Sequence, residues 1–216
     1  MHFIVSFEKS LVDDLKYDGY MRLRKAFNSV FRGSEIPSFH LVIDGGCGTG
    51  LVGEQFRNIS EYLVGVDLSP AIIEQANLSR PGLYNETKTG DIIDVFRAMK
   101  PVNLIISADS YIYFGDLNPL FESIAESLAM NGYAAFTLED VDIENEVILN
   151  STNPAWRWML TPTGRFAHRA KYVEEVGNRY SLHTVYYEHL SGFRFENGVP
   201  VRGHIFVMQK VEEQEL

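Results

Sequence analysis

The chain has one cysteine, Cys47, among 216 residues. That excludes an internal disulfide and suits a reducing compartment. Basic charge is scarce: 19 lysines and arginines stand against 29 aspartates and glutamates, a formal net charge of −10. Such a chain repels DNA and RNA on average, so no nucleic-acid partner is expected. Long apolar runs are missing as well. No stretch approaches the ~20 residues that a bilayer-spanning helix needs. The opening Met1-His2-Phe3-Ile4-Val5 lacks the basic region that begins a signal peptide. There is no internal repeat and no low-complexity segment. We therefore expect one soluble, cytoplasmic domain without a membrane partner, as a monomer or homodimer.

What the sequence does have is alternation of apolar strands with helical segments. Strands are expected over 39–44, 62–67, 84–89, 102–108 and 133–138. Helices are expected near 49–57, after Ser69-Pro70, and near 117–130, where Asn131-Gly132 ends the last of them. This order implies an α/β fold with a parallel sheet covered on both faces. Residues 9–31 read as a helical cap, with Leu11, Leu15, Leu23, Phe27 and Phe31 on one face and Gly19 interrupting it. The first 38 residues then form an N-terminal cap, 39–139 the core, 140–163 an irregular insertion, and 164–216 a helix near 166–177 followed by a terminal antiparallel hairpin. That hairpin pairs 181–190 with 203–210 across a turn at Asn197-Gly198-Val199-Pro200.

The densest signal is at residues 41–50, Leu-Val-Ile-Asp-Gly-Gly-Cys-Gly-Thr-Gly. Gly46, Gly48 and Gly50 let the backbone turn tightly and approach a ligand. The helix start that follows favours a carboxylate or phosphate. Asp44, at the strand mouth, is placed to hold an amine. A ligand with both an amine and a carboxylate satisfies this loop: S-adenosylmethionine is one, and NAD is not. Asp67 ends the second strand 17 residues after Gly50, where a carboxylate accepts from two ribose hydroxyls. Asp91, after the third strand, is placed to accept from an adenine amino group, with Ile92 packed on the ring. Each acid also has a plain reading as a helix cap or solvated loop residue.

A dinucleotide fold is the rival. Gly48-Thr49-Gly50-Leu51-Val52-Gly53 satisfies G-x-G-x-x-G, and Asp67 lies at a suitable distance for NAD. The match begins four residues after Asp44, past the strand end. It leaves Asp44 and Asp91 without roles and puts Gly53 inside the helix as a packing glycine.

Asp44-x-Gly46-x-Gly48-x-Gly50, Val66-Asp67 and Gly90-Asp91, each after a strand, resemble the cofactor site of class I S-adenosylmethionine-dependent methyltransferases. The resemblance implies a Rossmann-like doubly wound seven-stranded sheet whose last strand is antiparallel. It implies that Gly46, Cys47, Gly48 and Gly50 hold the methionine end, Asp67 and Leu68 the ribose, and Asp91 and Ile92 the adenine. Ala108 lies at the end of the fourth strand beside the cofactor. A narrower resemblance rests on Asp109–Leu117, Phe136–Glu139 and Gly164–His168. These segments are similar to the methyltransferase domain joined to tetratricopeptide repeats in some bacterial proteins, and to the methyltransferase-like protein of the Williams–Beuren region.

For the acceptor, Ala108-Asp109-Ser110-Tyr111 replaces the Asn/Asp-Pro-Pro-aromatic run of amide and adenine methyltransferases, which argues against that chemistry. Tyr111, Tyr113, Glu139, Trp156, Trp158, Arg165, His168 and Tyr172 fall on segments at the carboxyl ends of the strands, where such sheets bind ligands. His168 is the candidate base, with Tyr113 beside it. Tyr111, Glu139, Trp156, Arg165 and Tyr172 are the candidate acceptor contacts. Tyr17 and Tyr20 are placed to close over the cofactor, or to pack in the core. The expected reaction is in-line methyl transfer to a small molecule. An oxidoreductase, a non-catalytic binder of the same cofactor and a protein methyltransferase are the alternatives. No metal is expected.

Overall fold

The structure, a computed structural model, describes residues 17–196 and 198–212. The chain order is α1 (Gly19–Val30), β1 (Phe39–Gly45), α2 (Leu51–Phe56), β2 (Ser60–Asp67), α3 (Pro70–Ser79), β3 (Glu86–Thr89), α4 (Ile92–Ala98), β4 (Val102–Ser107), α5 (Asn118–Ser127) and β5 (Leu128–Glu139). Then follow α6 (Ile143–Thr152), β6 (Trp158–Leu160), β7 (Phe166–His168), α7 (Ala170–Arg179), β8 (Leu182–Glu196) and β9 (Val199–Lys210). Strands β3, β2, β1, β4 and β5 are parallel neighbours in that order. β9 then runs antiparallel to β5, and β8 antiparallel to β9. This is the expected Rossmann-like sheet closed by an antiparallel hairpin.

Side chains alternate between two cores, because successive strand residues point to opposite faces. Ile43, Val64, Ile105, Phe136 and Phe206 face Phe96 of α4, Phe121 of α5 and Val173 of α7. Val42, Leu63, Leu104, Ile106 and Val207 face Leu23 and Phe27 of α1 and Phe56 of α2. Helix starts follow local chemistry. Ser69 accepts from the Ile72 amide with Pro70 in the first turn, and Asp91 accepts from the Ile93 amide.

Several expectations are corrected. Residues 9–16, with Leu11 and Leu15, lie outside the described residues. Gly19 opens α1 rather than interrupting it; a Cβ there would sit 2.6 Å from the Tyr17 ring. α5 ends at Ser127, and Asn131-Gly132 lies inside β5. Between the pairs Val102–Leu128 and Leu104–Tyr133 the register shifts, and Asn131 takes a left-handed φ of 63°. The dipeptide therefore makes a bulge, since its turn chemistry serves a strand as readily as a helix end. The 140–163 segment is not irregular: Asp142 caps α6 by accepting from the Asn145 amide. The expected helix near 166–177 is β7 followed by α7. β6 and β7 form a short hairpin that adds two strands beyond the expected seven, β7 meeting β5 at Glu139–Ala167. Asn197 of the expected turn is outside the described residues.

Candidate functional site

β1 ends in Asp44 and Gly45, and the chain then turns. Gly46, Gly48 and Gly50 all have positive φ, at 73°, 54° and 101°. A Cβ at Gly46 would fall 1.9 Å from Ser110 Oγ, so only glycine passes beneath that side chain. The loop is tied to β2: the Gly46 and Cys47 amides donate to the Val66 carbonyl, and the Gly48 amide donates to Asp67 Oδ2 at 3.1 Å. Asp67 Oδ1 accepts from the Ser69 amide at 2.9 Å. One carboxylate thus joins the glycine loop to the start of α3.

A cavity of 290 Å³ opens at the carboxyl ends of the parallel strands. Gly46 from the loop after β1, Asp67 and Leu68 after β2, and Gly90, Asp91 and Ile92 after β3 line it, with Ser110, Tyr113 and Phe114 after β4. Five predicted cofactor residues therefore converge on one space. Leu68 is 74% exposed on its rim, whereas Ile92 is buried and reaches back into the core. Ser110 and Phe114, for which the sequence suggests no site role, also line the cavity.

Asp44, Cys47, Gly48, Gly50, Ala108 and Tyr17 do not line this cavity. Asp44 is fully buried beside the loop; Tyr84 donates to its Oδ2 at 2.7 Å, while Oδ1 finds no partner among the described residues. Burial pushes the Asp44 carboxyl up to about 7, against the Tyr84 hydrogen bond that favours its charge. Burial also raises the Cys47 thiol, which keeps it protonated and unreactive. Tyr17 and Tyr20 join the core on the α1 face, and so does Ala108. Tyr84 was missed, since a tyrosine before a short strand carries no pattern of its own.

The acceptor-side candidates separate. Tyr113 is 63% exposed and on the cavity wall. His168 is not on the wall. It is fully buried at the end of β7, its Nε2 is 3.1 Å from the Gly115 carbonyl, and burial lowers its pKa to about 4. Tyr111 is buried in the core, not exposed to a ligand. Trp156 packs with Val141 and Ala167, donating to Asn150. Tyr172 is buried too, accepting from the Leu117 amide and donating to Asp116. Aromatics in this region are expected as contacts because their segments lie at the carboxyl ends of the strands; the apolar interior takes Tyr111, Trp156 and Tyr172 instead.

Glu139 and Arg165 enter a charged cluster whose centre was not anticipated. Arg194 of β8, fully buried, donates to Asp109 Oδ1 at 2.6 Å, Glu139 Oε2 at 2.7 Å and Glu196 Oε1 at 3.0 Å. Arg165 pairs with the same Glu196 oxygen. Asp109 holds a left-handed φ of 60°, and its amide donates to Thr137 Oγ1. The only sequence signal was an arginine flanked by phenylalanines in a strand. Elsewhere, Asp140, His189 and His204 place ligating atoms within 4.8 Å of one another. Arg202 already bonds that aspartate at 3.1 Å.

Residues 42–132 match the family described as methyltransferase domain. The sequence is 44% identical over 52 residues to the 18S rRNA (guanine-N(7))-methyltransferase of Bos taurus, a stretch covering 24% of this chain and 16% of that protein. The fold is similar to the N-methyltransferase NodS of Bradyrhizobium japonicum WM9, solved with S-adenosyl-L-homocysteine, at a TM-score of 0.66, with 16% identity over 93% of this chain and 91% of that one. It is similar also to magnesium protoporphyrin IX methyltransferase of Synechocystis PCC 6803 with bound S-adenosylhomocysteine, at a TM-score of 0.64, with 13% identity over 88% and 83%. The matched segment lies within the core of the sheet, and the sheet has the Rossmann-like fold of these S-adenosylmethionine-dependent methyltransferases.

Proposed function

We propose that the chain transfers a methyl group from S-adenosylmethionine to a small-molecule acceptor. The observation that carries this reading is the convergence of Gly46, Asp67, Asp91 and Ile92, from three separate strand ends, on one cavity. In this reading Asp67 accepts from the ribose hydroxyls, Asp91 from the adenine amino group, and Ile92 with Leu68 covers the nucleoside. The glycine loop holds the methionine end, and the unpartnered Oδ1 of Asp44 fits its ammonium. The cofactor supplies the electrophilic methyl; the protein's task is to align the acceptor and exclude water. Tyr113, exposed on the cavity wall, is the candidate contact for the acceptor. His168 is a packing residue here and not the base.

A small acceptor is supported by the elements that cover the carboxyl ends of β4 and β5: the β6–β7 hairpin, α6 and the far end of β8. The negative formal charge of −10 opposes a polyanionic acceptor, and the stretch shared with the rRNA enzyme is too short to bring its acceptor here. The narrower kinship with repeat-linked methyltransferase domains stays part of this reading, on the same three segments. An oxidoreductase reading loses its fingerprint, because Gly53 lies inside α2 against Tyr84.

Calorimetry tests this reading. S-adenosylhomocysteine should bind saturably, and Asp67→Ala should weaken it at least ~10-fold, through lost charged hydrogen bonds and a loosened loop. Absence of binding at high micromolar concentration would sink it.

A further inference from the structure

Tyr84 lies outside the cavity and has no part in methyl transfer as proposed. Its setting is nevertheless closely built. A Cβ at Gly53 would lie 2.6 Å from its hydroxyl oxygen, one at Gly65 2.9 Å from its ring carbons, and one at Gly50 3.4 Å from the hydroxyl. Two glycines, Gly53 of α2 and Gly65 of β2, form a slot that only the absence of side chains leaves open, with Gly50 of the loop in ordinary contact beside it. The slot delivers the hydroxyl to Asp44 Oδ2 at 2.7 Å. The second oxygen of that carboxylate, Oδ1, is buried without a hydrogen-bond partner among the described residues. A buried carboxylate oxygen left unpaired is costly, and folded proteins keep one mainly where a ligand or water will complete it.

Five titratable groups act on Asp44: Tyr84 from the segment before β3, Cys47 from the glycine loop, Asp67 from β2, Tyr17 from the segment before α1, and Tyr111 after β4. None of these is a cation. Among the described residues that act on Asp44 there is no positive charge to match it, and an α-ammonium group has both the charge and the donors.

We infer that Tyr84 is a positioning residue: anchored in its slot between Gly53 and Gly65, it turns the Asp44 carboxylate so that Oδ1 receives the amino group of an S-adenosylmethionine-type ligand. The inference rests on the proposed function and adds a residue specific to the amine. Tyr84 touches no ligand; it acts through Asp44. Its hydrogen bond also favours the ionised carboxylate, the form that attracts an ammonium.

The test compares S-adenosylhomocysteine with 4-(5′-adenosylthio)butanoate, which keeps the adenosine, sulfur and carboxylate and lacks only the amine. Calorimetry at pH 7 with the full chain should show Tyr84→Phe weakening S-adenosylhomocysteine by ~10-fold, the scale of a hydrogen bond to a charged group, with the butanoate held within ~2-fold. Equal weakening of both ligands would make Tyr84 a merely structural residue and overturn the inference. So would unchanged affinity for S-adenosylhomocysteine. If the native protein bound neither ligand, the proposed function would fail first and take the inference with it. A second readout needs no ligand. The carboxyl carbon of Asp44, followed by NMR, should titrate near pH 7 in the native protein and at higher pH in Tyr84→Phe. An unmoved midpoint would overturn the assignment.

Discussion

Asp44 and His168 are both buried, and burial drives their titrations in opposite directions. The Asp44 carboxyl, pushed up to about 7, titrates near 3.9 in an unfolded chain. A raised pKa means that its contribution to stability is present below the unfolded value and is lost as the pH rises through 7. Asp44→Asn should therefore stabilise the ligand-free protein at pH 8 by roughly 2–4 kcal/mol in urea unfolding, while weakening S-adenosylhomocysteine. Higher stability with poorer binding is the expected pairing at a site that keeps a charge buried for a ligand. His168 has the reverse sign. Burial lowers it to about 4 from 6.5, so its contribution is full above pH 6.5 and disappears as the pH falls towards 4. We expect a stability loss of about 3 kcal/mol across that window. In His168→Gln this part of the acid dependence should vanish from unfolding curves measured at several pH values.

At the scale of elements, the hairpin β8–β9 does more than close the sheet. Its far end carries Arg194, which binds the ends of β4 and β5 through Asp109 and Glu139. Removing one partner of a buried ion pair strands the others. Arg194→Ala should lower unfolding free energy by about 3–5 kcal/mol, and pairing an Arg194→Met change with Glu139→Gln should recover part of that loss. Elements such as β1, β2 and β4 were legible because continuous apolar runs ended by acids and glycines have few alternative uses. So was the antiparallel hairpin, from two runs with a glycine and a proline between them. What escaped depended on partners distant in sequence. Asn131-Gly132 reads as a stop until β4 is beside it. α6 has no fully buried residue to give it an apolar stripe, and β7 is only three residues long. The same contrast divides the site: Asp67 and Asp91 were legible because local strand ends place them, whereas Arg194 and Tyr84 are defined by contacts 85 and 40 residues away.

For the molecule as a whole, the fold makes cofactor binding and stability one measurement. Ligand at 100 times its dissociation constant adds about 2.7 kcal/mol to the folded state. For a chain of this size, saturating S-adenosylhomocysteine should then raise the melting temperature by about 5–10 °C. NADH at the same concentration should leave it unchanged in differential scanning fluorimetry. The described residues contain no helix long and apolar enough to cross a membrane. The negative formal charge adds a salt test: S-adenosylhomocysteine affinity should vary little between 50 and 200 mM salt, in contrast to the steep loss shown by proteins that hold a nucleic-acid backbone.

The slot around Tyr84 has a consequence for how this sequence can change. Gly53 and Gly65 lie on different elements, yet both are moulded to one side chain. They form a single heritable unit. An alanine at position 53 or 65 is acceptable only if position 84 shrinks with it, and a smaller residue at 84 releases both glycines together. Descendants of this chain should therefore fall into two groups, one with tyrosine and open glycines, the other with a small residue and filled ones, and Asp44 should keep its acid only in the first.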